Sequence, residues 1–281
     1  MKGAGEQARQ TAERLKTKGN ECFHKNKIGA AIDLYTEAFT LCPHWPVPLV
    51  NRALCHKKNE DWNKVIEDCE KVIQLDTDNL KAHFFLGLAQ TNTNRPHLAV
   101  QNLSTALKLA RNTESTIKEE VWRTLARAKF ESHSRTAAER AVRRGELLQR
   151  LKSLLKEDVS RRIKDSDSSL PDILEQQEEL ERDTSLLEDV FKSDELKYQG
   201  EDVPNWCTCQ LTLEVFHEPV VTPCGISYEN QVLLEHLRKV GEFDPVTRRP
   251  MKAKDVRKNI GLRNAVESYL DDNPWAWYYA M

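Results

Sequence analysis

The sequence specifies a mainly α chain in three parts: a stacked array of helical hairpins, a charged helical hairpin, and a small α+β domain near the C-terminal end. Three observations lead there. A pattern of small and large residues returns every 34 positions in the first half. The stretch after it switches from a basic to an acidic helical stripe. From residue 203 the chain turns to Pro-punctuated loops around one short amphipathic run. At 281 residues there is enough chain for two or three cores, and 39% hydrophobic with 31% charged residues fits an exposed, helix-rich architecture. A net charge of -2 argues neither for a nucleic-acid binder nor for a highly acidic tail, and no nucleic-acid partner is expected. Nothing near the start looks like a signal peptide and no apolar run approaches transmembrane length, so no membrane partner and a cytoplasmic or also nuclear location are expected. Seven cysteines without framework spacing fit a reducing compartment.

The repeat begins at Ala12. Gly19, Phe23, Ala31, Tyr35, Ala38 and Pro43 supply a small, bulky, small, aromatic, small and helix-ending residue in turn. Residues 46–79 return Ala53, Val65, Cys69 and Val72; residues 80–113 return Gly87, Ala99, Leu103 and Ala106. Small residues fall where helices cross and large ones fill the neighbouring gaps, so three hairpins bury a core that one could not. The pattern resembles the tetratricopeptide repeat. Thr116–Glu119 has the form of a capping box, and Ile117, Val121, Leu125 and Ala128 make an apolar face to cover the last repeat, giving a first domain over 12–131.

In such arrays the first helix of each repeat lines a concave groove. Lys16 and Asn20 lie four apart on one such helix, and Asn51 and Lys81 fall on the next two. Two ammonium groups and two carboxamides suit a pair of closely spaced carboxylates, such as a peptide C-terminus beside an acidic side chain. Solvated surface residues are the competing reading. The quartet resembles the carboxylate clamp of chaperone-binding tetratricopeptide domains. That resemblance implies the acidic C-terminal tails of the seventy- and ninety-kilodalton heat-shock proteins as partners. Many clamps carry a second basic residue where this chain has Phe85, so Phe84 or Phe85 is expected to offer an apolar pocket upstream of the tail.

Residues 137–164 carry nine basic and four acidic residues, with Val142, Leu148, Leu151, Leu155 and Val159 as a helical stripe. Residues 165–169 break it, and Pro171 suits the first turn of a new helix. Residues 165–202 carry fourteen acidic against three basic, with a stripe of Ile173, Gln177, Leu180, Leu187 and Phe191. This predicts an antiparallel hairpin or coiled coil over 132–200 that buries its seam in a homodimer, a solvated spacer being the alternative.

Around the last part, "EPVVTPCGISYE", "GEFDPVTRRPM" and "KNIGLRNAVESYL" occur in order. Between the two loops, residues 229–240 place Val232, Leu233, Leu237 and Val240 at helical spacing, with Ser227 as N-cap, and residues 209–216 alternate as short extended segments or loop. Cys207 and Cys209 are one residue apart, Cys224 stands alone and no second pair follows, so no tetrahedral zinc site can be written and no metal or cofactor is expected. The three phrases resemble the U-box, the metal-free relative of the RING domain, over 203–275. In a U-box, hydrogen bonds and ion pairs hold the loops, for which Glu218, Asp244, Arg249 and Asn259 are available.

The resemblance implies a scaffold without a covalent ubiquitin intermediate. It assigns Leu211, Leu213 and Pro245, with Arg248, to the contact with a ubiquitin-conjugating enzyme, and Arg248 to bridging that enzyme and its donor ubiquitin. The order of the three parts is similar to chaperone-associated ubiquitin ligases, implying ubiquitination of misfolded clients for proteasomal degradation. A non-catalytic adaptor co-chaperone is the second reading. The aromatic tail Trp275–Tyr279 is expected to pack onto the last domain or serve a partner.

Overall fold

A computed structural model describes residues 2–165, 170–196 and 202–281. The first six helices, α1 Lys2–His24, α2 Ile28–Leu41, α3 Val47–Lys58, α4 Trp62–Leu75, α5 Leu80–Asn92 and α6 Pro96–Asn112, pair into three hairpins that stack in order. The repeat is visible in the backbone itself: Asn26, Glu60 and Asn94, 34 residues apart, each take a left-handed φ of 58–59° in the turn between paired helices. It is equally visible in the packing. A Cβ on Gly19 would lie 2.6 Å from the Tyr35 ring, and one on Gly87 only 2.5 Å from Leu103 Cγ, so the helices cross at a distance that only a hydrogen permits. Ala53 occupies the same place in the middle repeat, fully buried.

The covering helix and the first helix of the hairpin are one element. Helix α7 runs unbroken over Lys118–Asp165, about 70 Å at 1.5 Å per residue. No proline interrupts it, and its one glycine, Gly145, meets nothing within 4 Å. Val121, Leu125 and Ala128 cap the repeats as expected. The capping box does not form: α7 starts after Thr116, and the Glu119 carboxylate turns to Arg123 (2.8 Å) and His217 (3.0 Å).

Helix α8, Leu170–Leu196, packs along α7, with Lys152 and Glu188 paired across them. The expected break at 166–169 lies outside the described residues. The two stripes pack on each other within the chain. Leu148, Leu151, Leu155 and Val159 on α7 and Ile173, Leu180, Leu187 and Phe191 on α8 are wholly or partly buried within the chain. Val142 and Gln177 are exposed, contrary to that reading, and the large apolar residues left in solvent are Val142, Leu147, Leu154, Leu170, Leu174, Leu186 and Val190.

The C-terminal domain is a three-stranded antiparallel sheet in the order β2-β1-β3, from β1 Pro219–Val221, β2 Ser227–Glu229 and β3 Arg257–Lys258, with α9 Asn230–Lys239 and α10 Ile260–Asp272. Residues 209–216 form loop, not strand, closed by Cys209 N to Glu214 O (2.9 Å) and Leu213 N to Cys209 O (2.8 Å). Ser227 sits in β2 rather than capping α9; Glu229 holds the N-cap position. Leu233 and Leu237 carry the buried face of α9, while Val240 is exposed.

This domain is docked on the repeats. Arg111 of α6 forks between Glu218 (2.9 Å) and Glu267 (2.6 Å), and Lys129 reaches Asp271 (2.5 Å). The His217 ring stacks 4.7 Å from Trp122. The aromatic tail forms a 3-10 segment, Pro274–Ala280, packed on α7: Trp277 is buried against Trp122 and under the Lys129 ammonium, and Tyr278 meets Phe130.

Candidate functional site

Two faces gather the candidate residues, one on the repeats and one on the docked domain.

On the repeats, α1 presents Lys16 and Asn20, α3 Asn51, and α5 Lys81 in its first turn. Asn20 and Asn51 meet directly, the Asn51 amide donating to Asn20 Oδ1 at 3.2 Å. The Tyr35 hydroxyl donates to the same oxygen at 2.7 Å, and burial pushes that hydroxyl's pKa up to about 12, so it remains a donor. With Oδ1 doubly engaged, the Asn20 NH2 and the second Asn51 N–H are left to bind an acceptor. The Lys16 ammonium stands 6.0 Å from the Trp45 ring, which the Arg9 guanidinium also covers at 3.7 Å. Lys81 is exposed and, among the described residues, makes no hydrogen bond or ion pair. Phe84 and Phe85 are nearly buried, with ring centroids 5.7 Å apart. Rather than an open pocket they form a floor under the Lys57 ammonium, 5.4 and 5.2 Å from their rings and paired with Glu120 at 3.6 Å.

On the second face, both loops hang from the β1–β2 hairpin. The first is tied where Glu229 N donates to Cys209 Sγ (3.3 Å), and the Glu229 carboxylate accepts from His217 N and Glu218 N (both 3.0 Å). The second is organised by Asp244, which is fully buried. Its carboxylate accepts from Thr222 Oγ1 (2.9 Å), the Tyr228 hydroxyl (3.1 Å), Val246 N (3.1 Å) and Thr247 N (2.9 Å). Burial alone would raise its pKa; these four donors outweigh that and hold it below the ordinary carboxylate value. Of the residues expected to hold the loops, Asp244 does so, and Asn259 caps α10 (3.0 Å from Leu262 N) while donating to Ser227 Oγ at 3.0 Å. Glu218 turns instead to Arg111, and the Arg249 side chain is exposed, its loop contacts being made by the backbone. Sequence reasoning missed Glu229, whose role depends on backbone groups eleven and twelve residues away.

The loop tips carry large apolar residues into solvent. Leu213, at a left-handed φ of 60°, is 80% exposed, Leu211 is 39% exposed and Pro245 is half-buried. Val246, 54% exposed, joins them and was not foreseen. Arg248, also left-handed at 62°, is exposed beside Pro245 and Val246. This face is separate from the docked one, which uses His217, Glu218, α10 and the tail.

Residues 203–275 match the U-box domain family. Over 272 residues the chain is 40% identical to the E3 ubiquitin-protein ligase CHIP of Arabidopsis thaliana, covering 95% of each chain. Over 79 residues it is 35% identical to the heat-shock protein cognate co-chaperone sgt12 of Aspergillus fumigatus, covering 28% of this chain and 23% of that one. Among solved structures, the first tetratricopeptide domain of Spaghetti bound to the HSP90 peptide SRMEEVD is 30% identical over 37% of this chain and 82% of that one, with a TM-score of 0.36. Among the described residues, no helix is long and apolar enough to cross a membrane.

Proposed function

The chain belongs to the CHIP family of U-box E3 ubiquitin-protein ligases, and from that premise we propose how its two faces divide the work. The groove takes the acidic C-terminal tail of seventy- and ninety-kilodalton heat-shock proteins, with Lys16, Asn20, Asn51 and Lys81 gripping its carboxylates and the Phe84–Phe85 floor meeting the residues upstream once the Lys57 side chain swings off it. The U-box takes a ubiquitin-charged conjugating enzyme on Leu211, Leu213 and Pro245. Arg248 bridges enzyme and donor ubiquitin and narrows the donor's geometry. No cysteine of the ligase attacks the thioester: Cys207 is buried and its pKa is pushed up to about 11 by that burial, the reverse of an activated nucleophile. Tethering makes attack by a client lysine effectively intramolecular.

The observation that carries this reading is that the loop-tip residues stay in solvent while the U-box is docked by another surface. An adaptor without conjugating-enzyme binding would have no reason to hold Leu213 80% exposed at a left-handed φ. The domain limits follow as 12–131, 132–200 and 203–275, although α7 crosses the first boundary without a break. The apolar residues that the hairpin leaves in solvent, Leu147 and Leu154 seven apart on α7 and Leu186 and Val190 four apart on α8, support a homodimer, and a cytoplasmic site of action agrees with the chemistry.

The test is ubiquitination of a heat-shock protein, with and without its acidic tail, by purified protein and a charged conjugating enzyme. Tail-dependent modification is expected. Lys16→Ala removes a charge-assisted contact and should weaken tail binding roughly 10- to 150-fold while sparing discharge to free lysine; Leu211→Ala should do the reverse. Equal damage to both activities by both substitutions would refute the division of labour.

A further inference from the structure

Resting on the reading of Arg248 above, we propose that Phe243 is a positioning residue: its ring holds the Arg248 guanidinium by one face and so presents it, already ordered, to the conjugating enzyme and ubiquitin.

The loop closes on itself. Phe243 and Pro250 form an antiparallel bridge, Asp244 N donates to Arg249 O (2.9 Å), and Arg248 N donates to Asp244 O (2.9 Å). At the end of this ring Arg248 adopts a φ of 62°, uncommon for a residue with a side chain, and its guanidinium comes 5.0 Å from the centre of the Phe243 ring. The ring is itself fixed. His236 of α9 meets it edge-on (5.1 Å, 90°), and His236 Nε2 lies 3.2 Å from the Phe243 carbonyl oxygen. Gly241, at a φ of 155°, lets the ring approach to where a Cβ would sit 2.6 Å from Cε1.

The chemistry of the contact suits the task. An arginine paired with a carboxylate spends its N–H donors on that partner. One lying on an aromatic face uses only its flat surface and keeps all five donors in the plane for hydrogen bonds. Among the described residues, the Arg248 guanidinium makes no hydrogen bond or ion pair, so its donors are uncommitted. Stacking also removes part of the rotamer freedom that an exposed arginine would lose on bridging two partners. The cost of ordering is thus met before the complex forms.

The experiment is single-turnover discharge of ubiquitin from a charged conjugating enzyme to free lysine, with the full chain. Phe243→Leu keeps the bulk and removes the π face; about a two- to fivefold lower rate is expected, with conjugating-enzyme affinity unchanged. Phe243→Tyr should restore the rate, and Phe243→Leu should add nothing to Arg248→Ala. A wild-type rate in Phe243→Leu alongside a slow Arg248→Ala overturns this inference alone. So does a loss from Phe243→Leu that persists undiminished in Arg248→Ala, since that marks a merely structural role. No effect of Arg248→Ala overturns the reading of Arg248 and this inference together. Should Phe243→Leu fail to fold, the wild-type Arg248 Nε–H proton resonance, assigned by its loss in Arg248→Lys, decides: an upfield ring-current shift supports the stacking, and an ordinary solvent-exposed position overturns it.

Discussion

The groove and the U-box loops are both binding faces, yet they are held in shape by opposite means. The groove is a by-product of a periodic core: Gly19, Ala53 and Gly87 repeat one crossing three times, and the polar residues merely ride on helices that would form without them. The U-box has strands of only two or three residues, too short to stand alone. Its second loop depends on one buried carboxylate serving four donors. Repetition spreads the load; the loop concentrates it at Asp244.

The largest effect is therefore expected at Asp244. Asp244→Ala strands two hydroxyls and two backbone N–H groups in a buried site and should cost the U-box about 3 kcal/mol or more. Ubiquitin discharge should be lost while tail-peptide affinity stays within about twofold, additivity holding for distant sites. Asp244→Asn keeps one oxygen for the N–H donors and should cost less. The pH dependence has a definite sign. Because the folded state depresses this pKa below the ordinary aspartate value of 3.8, the carboxylate's contribution is fully present above that pH and is lost as the pH falls through the folded value. Asp244→Asn should accordingly flatten the acid limb of a urea-denaturation series. A tail affinity that collapsed with Asp244→Ala would break the comparison.

A smaller effect is expected on the other side. Gly87→Ala drives a Cβ to 2.5 Å from Leu103 Cγ, overpacking that should cost about 1–3 kcal/mol. Because neighbouring repeats share the load, tail binding should weaken without the array unfolding at 25 °C. Gly145→Ala is the control: the site is open and mid-helix, so the same change should stabilise by about 0.5–1 kcal/mol. Equal destabilisation by both would mean that helix continuity, rather than the crossing, sets the penalty.

The same contrast explains what could be read in advance. The repeats were legible because each crossing must recur, so Gly19 with Tyr35 and Gly87 with Leu103 announce themselves at a fixed period. The loop tips were legible through ordered motif phrases, and Asp244 through its place in one of them. The unbroken α7 was not, because the covering helix around residues 117–128 and the basic stripe over 142–159 were read as two helices, although no proline stands between them to end the first. The seam between α7 and α8 was half legible: periodicity found Leu148, Leu151 and Leu155 but could not say that α8 of the same chain covers them. The docking of the U-box was invisible, since Arg111 meets Glu218 and Glu267 across 107 and 156 residues, and nothing local marks an arginine as spoken for.

The smallest effect separates the faces by their chemistry. The groove offers ammonium groups and amide donors at exposed or half-exposed positions, where salt at 0.15 M screens charges beyond about 8 Å. The other face offers Leu211, Leu213, Pro245 and Val246, whose burial by a partner is indifferent to moderate ionic strength. Raising sodium chloride from 50 to 300 mM should weaken an acidic tail peptide by roughly three- to tenfold, chiefly through slower association. The conjugating enzyme should weaken by less than about twofold, unless Arg248 contributes a long-range field of its own. Titrating both ligands against the same sample gives the ratio of slopes directly. Equal slopes would mean that the loop tips work through charge, and that Arg248 rather than Leu213 dominates the contact.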